Sequence, residues 1–366
     1  MLNSWRTELS TVSPSGRPIA MPPAFYRAQD VLEAEIERVF LPGWICLCRA
    51  DEIAEIGDFL ALEILDEPLI VTRSKTGLRV LSNVCRHRGS RLAEGQGTTK
   101  RFTCPYHAWT YNLDGRLVRA PLLDDKPGFE KSDCGLPSFP VAEWMGWVFV
   151  NLDARAEPLL AQLKELNPLV ANYHAEEMRT AHAETEIWQV NWKGLAENFM
   201  EGYHLSQVHM KTLHPMTPTR LCRKGPDGPA FTTYKAHYDP NYQGRTETHA
   251  DMTEEERALS MMVWIYPGFV AAISPNSAVY MTLTPAGPEA VQTRWGVIAR
   301  EATFQGDEAE ARAAFAAAFN AEDKARLLDM QKGLRSRFAT GGPLAPADYE
   351  GTIWDFYGYL KARLLG

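Results

Sequence analysis

Apolar residues recur with different periods in successive stretches of this chain. In AQDVLEAEIERVF, Val31, Leu32, Ile36 and Phe40 return every three to four positions. That spacing predicts a short amphipathic helix, ended by Leu41-Pro42-Gly43. From Trp44 the pattern shortens to alternation in WICLC, GDFLALEIL, PLIVTR and LRVLSNV, with turn residues at Gly57, Asp66, Glu67 and Thr76-Gly77. These are the marks of a small all-β domain. WTYNLDGRLV predicts a hairpin turning at Asp114-Gly115, and WMGWVFVNL at 144–152 a buried closing strand. Helical spacing returns in LLAQLKELNPLVANY, followed by strand-like residues near 181–191. Residues 221–258 read as loop-rich and polar. Strands resume in MMVWIYPGFVAAIS, AVYMTLTPA and VQTRWGVIAR, and two helices close the chain, an Ala-rich one over 307–337 and an aromatic one at WDFYGYLKARLLG. The second part is therefore expected to be α+β.

Composition narrows the classes. A length of 366 residues favours two domains, and 45% hydrophobic residues suffice for two cores. The net charge, 38 − 46 = −8, argues against a nucleic-acid surface. MLNSWRTELSTVSPSG lacks a signal-peptide layout, and no apolar run reaches the ~20 residues of a membrane helix. A soluble, cytoplasmic protein with neither membrane nor nucleic acid as partner is expected. The six cysteines form no disulfide framework; Cys46 and Cys48 in WICLC read as buried free thiols.

Two of the cysteines carry chemistry. Cys85-Arg86-His87 and Cys104-Pro105-Tyr106-His107 are two clips, sixteen residues apart, each pairing one thiol with one imidazole. A zinc finger normally groups its two Cys in one clip and its two His in the other. In a Rieske centre two Cys hold one iron and two His the second, so two mixed loops fit it. A second cluster lies at 197–209. Spacings of four and three put Glu197, Glu201 and His204 on one face of a helix. His209, five residues later, falls about 140° round the axis. The helix must break or bulge if both rings meet one ion. Two His and one carboxylate make the facial triad of non-haem Fe(II) oxygenases. From the residues alone, Glu322, Asp323 and Asp329 all remain open as further carboxylates.

CRHRG at 85–89 and CPYHAWTYNLDG at 104–115 closely resemble the Rieske signature of the ring-hydroxylating oxygenases, and ENFMEGYHLSQVH resembles their mononuclear-iron motif. The likeness extends to FYRAQDVLEAEIERVFLPGW and AEDKARLLDMQKGL, and so covers nearly the whole chain. It implies an α+β architecture: an all-β Rieske [2Fe–2S] domain, 43–152, inserted in a helix-grip-like (SRPBCC/Bet v1-like) catalytic domain of 1–42 and 153–366 with an antiparallel sheet. By the same resemblance Cys85, His87, Cys104 and His107 hold the cluster, and His204, His209 and Asp323 hold a mononuclear Fe(II). Glu201 bridges His204 to His107 of the next subunit in a homotrimer, and Asn198 and Tyr203 shape the iron pocket. Tyr106 and Trp109 shield the cluster.

The implied activity is that of a terminal oxygenase using dioxygen and electrons from a separate NAD(P)H-dependent flavin/iron–sulfur reductase; no flavin or nicotinamide motif is present. A bare Rieske electron carrier would leave the second motif without a role. Many aromatic dioxygenases of the family have Asp where this chain has Glu201. The Glu resembles the branch that oxidises quaternary ammonium compounds such as choline, glycine betaine, carnitine and stachydrine. Hydroxylation or oxidative N-demethylation of such a substrate is the first expectation, with Trp264, Tyr266, Phe269, Tyr280 and Trp295 as candidates for a cation cage. Hydroxylation of an aromatic ring or aromatic acid is the alternative, with Arg220, Arg223 or Arg294 as carboxylate partners.

Overall fold

The computed structural model describes residues 4–11, 18–242, 248–300 and 307–366. The chain forms two compact units, Leu47–Arg155 and the pair of segments Met1–Cys46 and Ala156–Gly366. Part of the N-terminal lead, residues 12–17, lies outside the described residues.

The chain begins with helix α1, Ser4–Thr11, and α2, Gln29–Glu35, whose last turn widens over Ile36–Phe40. Val31, Leu32, Val39 and Phe40 are buried, as the helical spacing requires. Strand β1, Trp44–Arg49, then leads into the smaller unit.

There, β2 (Asp58–Ile64), β3 (Glu67–Ser74), β4 (Gly77–Ser82), β5 (Gln96–Thr98) and β9 (Ser138–Phe139) form an antiparallel sheet ordered β5-β2-β3-β4-β9. A smaller sheet joins β6 (Phe102–Thr103), β7 (Thr110–Tyr111) and β8 (Leu117–Arg119). The turn between β7 and β8 follows from its residues. Asn112 Oδ1 accepts the Asp114 and Arg116 amides, and Gly115 takes φ +83°, a conformation open to glycine. Strands β10 (Val141–Trp144) and β11 (Trp147–Asn151) pair as a hairpin, with β11 buried throughout.

After two short helices, α3 (Leu159–Gln162) and α4 (Asn167–Val170), the larger unit is built on a seven-stranded antiparallel sheet. Its strands are β12 (Arg179–Trp188), β13 (Cys222–Gly228), β14 (Phe231–His237), β15 (Leu259–Ile265), β16 (Phe269–Ser274), β17 (Ser277–Gly287) and β18 (Ala290–Ala299), ordered β12-β18-β17-β16-β15-β14-β13. Helices α5 (Trp192–Phe199), α6 (Leu205–Val208), α7 (Glu308–Gly333) and α8 (Ala347–Leu365) complete it.

One expectation fails. Residues 222–237 are not loop but the hairpin β13–β14. Gly225, Pro226 and Gly228 mask the edge strand, whose register slips between Lys224 and Asp227. In β14 the buried hydroxyls of Thr232 and Thr233 look polar in sequence yet bond to Asp355 and to the Pro226 carbonyl. Among the described residues no helix is long and apolar enough to cross a membrane.

Helix α5 is held by buried polar contacts. Asn191 caps it by accepting the Lys193 amide at 2.9 Å. Lys193 and Glu35, both fully buried, pair at 2.7 Å, and the Trp192 indole donates to the same carboxylate at 2.7 Å. Such a pair adds little net stability over an apolar isostere, but losing one partner is costly; here it ties α2 to the start of α5.

Candidate metal centres

The two Cys/His clips fold as equivalent loops. In the first, the Cys85 amide bonds the Ser90 carbonyl and the Gly89 amide bonds the Cys85 carbonyl; in the second, Cys104, Trp109 and Ala108 repeat the pattern. The residue four after each cysteine, Gly89 or Ala108, takes positive φ, +77° and +57°. Both thiols are buried and both imidazoles exposed. The rings of His87 and His107 stand 4.7 Å apart. Four donors so divided, sulfur inward and nitrogen outward, suit a [2Fe–2S] group with unequal irons. Tyr111 lies beneath, its hydroxyl 3.4 Å from Cys85 Sγ and accepting the Arg86 amide. Burial raises the Cys85 thiol above its ordinary range. Burial also acts to raise Cys104, but the Tyr106 and His107 amides aimed at its sulfur bring it below. The expected shield divides. Trp109 is buried and stacks on His87 at 4.9 Å, whereas Tyr106 is 57% exposed, against His107 and under Arg88.

In the larger unit the helix breaks before His204 and not between the two histidines, where the spacing argument put it; one helical turn joins them. Helix α5 stops at Phe199 and α6 begins at Leu205, with His204 and His209 at its two ends. The turn between is tight: a Cβ on Gly202 would lie 2.5 Å from Cys222 Sγ. This corner, with α7, brings three donor atoms together. His204 Nε2 and His209 Nε2 are 3.1 Å apart, and Asp323 Oδ1 lies 3.5 Å and 3.0 Å from them. Edges near 3 Å are what donors make around one ion at about 2 Å.

The opposite ring nitrogens are also engaged. His204 Nδ1 meets Glu201, and His209 Nδ1 meets Glu322 Oε2 at 2.8 Å. Each carboxylate therefore favours the proton on Nδ1 and leaves Nε2 as a lone pair for metal. Burial works against charge on His204, but the Glu201 carboxylate outweighs it and raises the imidazole above its ordinary range. Glu201 also accepts the Tyr203 and His204 amides, and Asn198 donates to Asp323 Oδ1 at 3.1 Å.

The three carboxylates left open on α7 thus separate. Asp323 joins the donor triangle, Glu322 orients His209 and accepts from Thr212, and Asp329 faces solvent beside Arg326 and Lys332. Glu197, read as sharing the motif face, sits elsewhere. It is half-buried against the Tyr26 hydroxyl at 2.9 Å, and the loss of solvent pushes its carboxyl up to about 8.

A cavity of about 310 Å³ opens over the triangle. Its floor is an in-register row across five strands, Tyr234, Met262, Ala272, Val279 and Val297. The cage candidates lie off it. Trp264 and Trp295 share that sheet face but sit one row further along, packed on Phe356 and His182. Phe269 and Tyr280 point to the other face, and Tyr266 stacks on Tyr359. The rings that do line the cavity include Tyr234, Tyr238, Tyr242, Phe315 and Phe319. Nor do the proposed arginines reach it: Arg220 pairs with Asp239, Arg223 lies by Asp348 and Arg294 bonds Thr185. Tyr238, Tyr242, Phe315 and Phe319 carried no signal in sequence, because loop and helix aromatics there are indistinguishable from packing residues.

The family model of the ring-hydroxylating alpha subunit (catalytic domain) matches residues 170–366, and that of the Rieske [2Fe–2S] domain residues 43–140. The chain belongs to the ring-hydroxylating oxygenase alpha-subunit family. It is a Rieske-type non-haem iron oxygenase. The carnitine monooxygenase oxygenase subunit of Escherichia coli K12 is 26% identical over 91% of this chain and 88% of its own. The glycine betaine monooxygenase oxygenase subunit of Chromohalobacter salexigens is 34% identical over 54% of this chain and 44% of its own. A quaternary ammonium Rieske monooxygenase crystallised with L-carnitine shares the fold, with TM-score 0.79 and 23% identity over 95% of this chain and 96% of that one.

Proposed function

We propose that this Rieske oxygenase is the terminal component of a multicomponent system that oxidises a small quaternary ammonium compound, hydroxylating it or removing an N-methyl group as formaldehyde. In this reading His204, His209 and Asp323 hold mononuclear Fe(II), and Cys85, His87, Cys104 and His107 hold the cluster. Bound there, the two groups would supply dioxygen activation and single-electron relay.

The chain's own residues hold the rest. Glu201 and Glu322 fix the tautomers of the two histidines, and Asn198 steadies Asp323. Electrons come from a separate NAD(P)H-dependent flavin/iron–sulfur reductase, and the chain works as a cytoplasmic homotrimer. Glu201 then links His204 to His107 of a neighbouring copy. A carboxylate has lone pairs to spare for that, and the adjacent Tyr203 is 59% exposed, as a subunit contact would use it.

The observation that carries the substrate class is the cavity wall. A quaternary ammonium has no N–H to donate, so it is recognised by ring faces, and six phenylalanine and tyrosine side chains line this cavity. The relatives named for carnitine and glycine betaine support the same class. Iron-replete protein, a reductase and NADH, offered betaines and aromatic acids in parallel, decide it. Formaldehyde from a betaine is expected. A hydroxylated ring without formaldehyde would replace this reading with the aromatic one.

A further inference from the structure

One face of α7 reads Arg312, Phe315, Phe319 and Asp323. Steps of three, four and four residues keep all four on one side of the helix, and all four line the cavity. Arg312 and Asp323 are eleven residues, or three turns, apart, roughly 16 Å along the axis. Between them the two rings pack edge to face at 5.7 Å, and Phe319 meets His209 edge-on at 6.3 Å. The helix therefore presents a guanidinium, two aromatic rings and a donor carboxylate in that order.

A second guanidinium lines the same cavity. Arg257 donates to the carbonyls of His249 and Ala250. Among the described residues neither Arg312 nor Arg257 pairs with a carboxylate, and Asp323 is the one acidic residue on the wall. A bound Fe(II) would neutralise Asp323. Among the described residues the cavity then holds two positive charges without a carboxylate partner and no free negative one. A bare organic cation would be repelled there. A molecule with an acid at its far end would not be, because guanidinium groups match carboxylates in charge and geometry.

We propose that Arg312 and Arg257 form a carboxylate subsite, so that the substrate is a zwitterion: its trimethylammonium lies over Phe319 and Phe315 and its acid is separated from the cation by several carbons. This rests on the quaternary ammonium reading and deepens it.

The test uses the full-length, iron-replete and cluster-containing protein with two probes of equal size, 4-(trimethylammonio)butanoate and its primary amide. Dissociation constants come from calorimetry. The wild type should bind the acid about tenfold or more tighter than the amide, the scale of a charged hydrogen bond. Arg312→Gln and Arg257→Gln should each weaken the acid without weakening the amide, whose repulsion by the guanidinium they relieve, and Arg312→Lys should restore part of the difference. Equal binding of acid and amide by the wild type, equal weakening of both by the variants, or no binding of either probe overturns the subsite. Formaldehyde release is scored separately. An acid preference without formaldehyde from either probe retains the subsite and rejects the N-demethylation reading.

Discussion

The two candidate metal centres differ in how far apart in sequence their parts lie. The Cys/His loops occupy 23 consecutive residues, and each loop closes on itself by the same two backbone hydrogen bonds. The His/His/Asp triangle takes two residues from a broken helical corner and a third from α7, with 113 residues between His209 and Asp323. The first centre needs local turn geometry and a small core beneath it. The second exists only when a sheet, a corner and a long helix are packed. A local centre can be recognised from spacing, while a distributed one is limited by how many carboxylates a long helix offers.

The comparison can be broken most sharply by removing one donor at a time. Cys104→Ser should abolish the cluster and its visible absorption while the triangle keeps its ion, so iron falls from roughly three atoms per chain to roughly one. Asp323→Ala should do the reverse, losing about one iron and leaving the cluster spectrum intact. Loss of both groups in either variant would mean the two centres are not separately built.

A smaller effect is expected one step out. Glu322→Gln cannot hold the His209 N–H as a charged acceptor, and iron affinity at the triangle should fall 10–100-fold, the usual cost of such partners. Glu201→Gln should retain both metals yet slow turnover by a comparable or larger factor. Normal turnover in Glu201→Gln refutes its role as the bridge, even if iron content is unchanged.

The smallest effect concerns the support under the corner. Glu197 is neutral in the folded protein because burial raises its carboxyl to about 8, against about 4.3 for an unfolded chain. The folded state therefore binds the proton more tightly. Its contribution is complete below the unfolded value and is lost as pH rises through about 8. Thermal melts should show stability falling by up to a few kcal/mol between pH 5 and 9. Glu197→Gln, uncharged throughout, should flatten that slope. An identical slope in the variant would assign the pH dependence to other groups.

Much of this was legible in the chain itself, and the misses share a cause. Period-two alternation exposed the small β unit, and the Asn112–Gly115 turn is written in its residues. Edge strand β13 was hidden by Gly225, Pro226 and Gly228, since an edge strand can keep residues that interrupt its ladder. The cage candidates failed for another reason. Alternation predicts which face of a strand a residue occupies, and it does so correctly for Trp264 and Trp295. It says nothing of the row along that face, and these two lie one row beyond the cavity floor. The arginines failed because charge alone does not distinguish a surface pair, such as Arg220–Asp239, from an unpaired guanidinium in a cavity.

Sequence alone determined the family and both metal motifs, because each depends on residue types at short spacing. Only the packed structure brought Asp323, the carboxylate the resemblance implies, beside both histidines, gave Glu322 to His209, and placed Arg312 and Arg257 on one cavity wall. Those choices depend on which helical face meets which row of the sheet, and that is set by the burial of the whole core rather than by any local stretch.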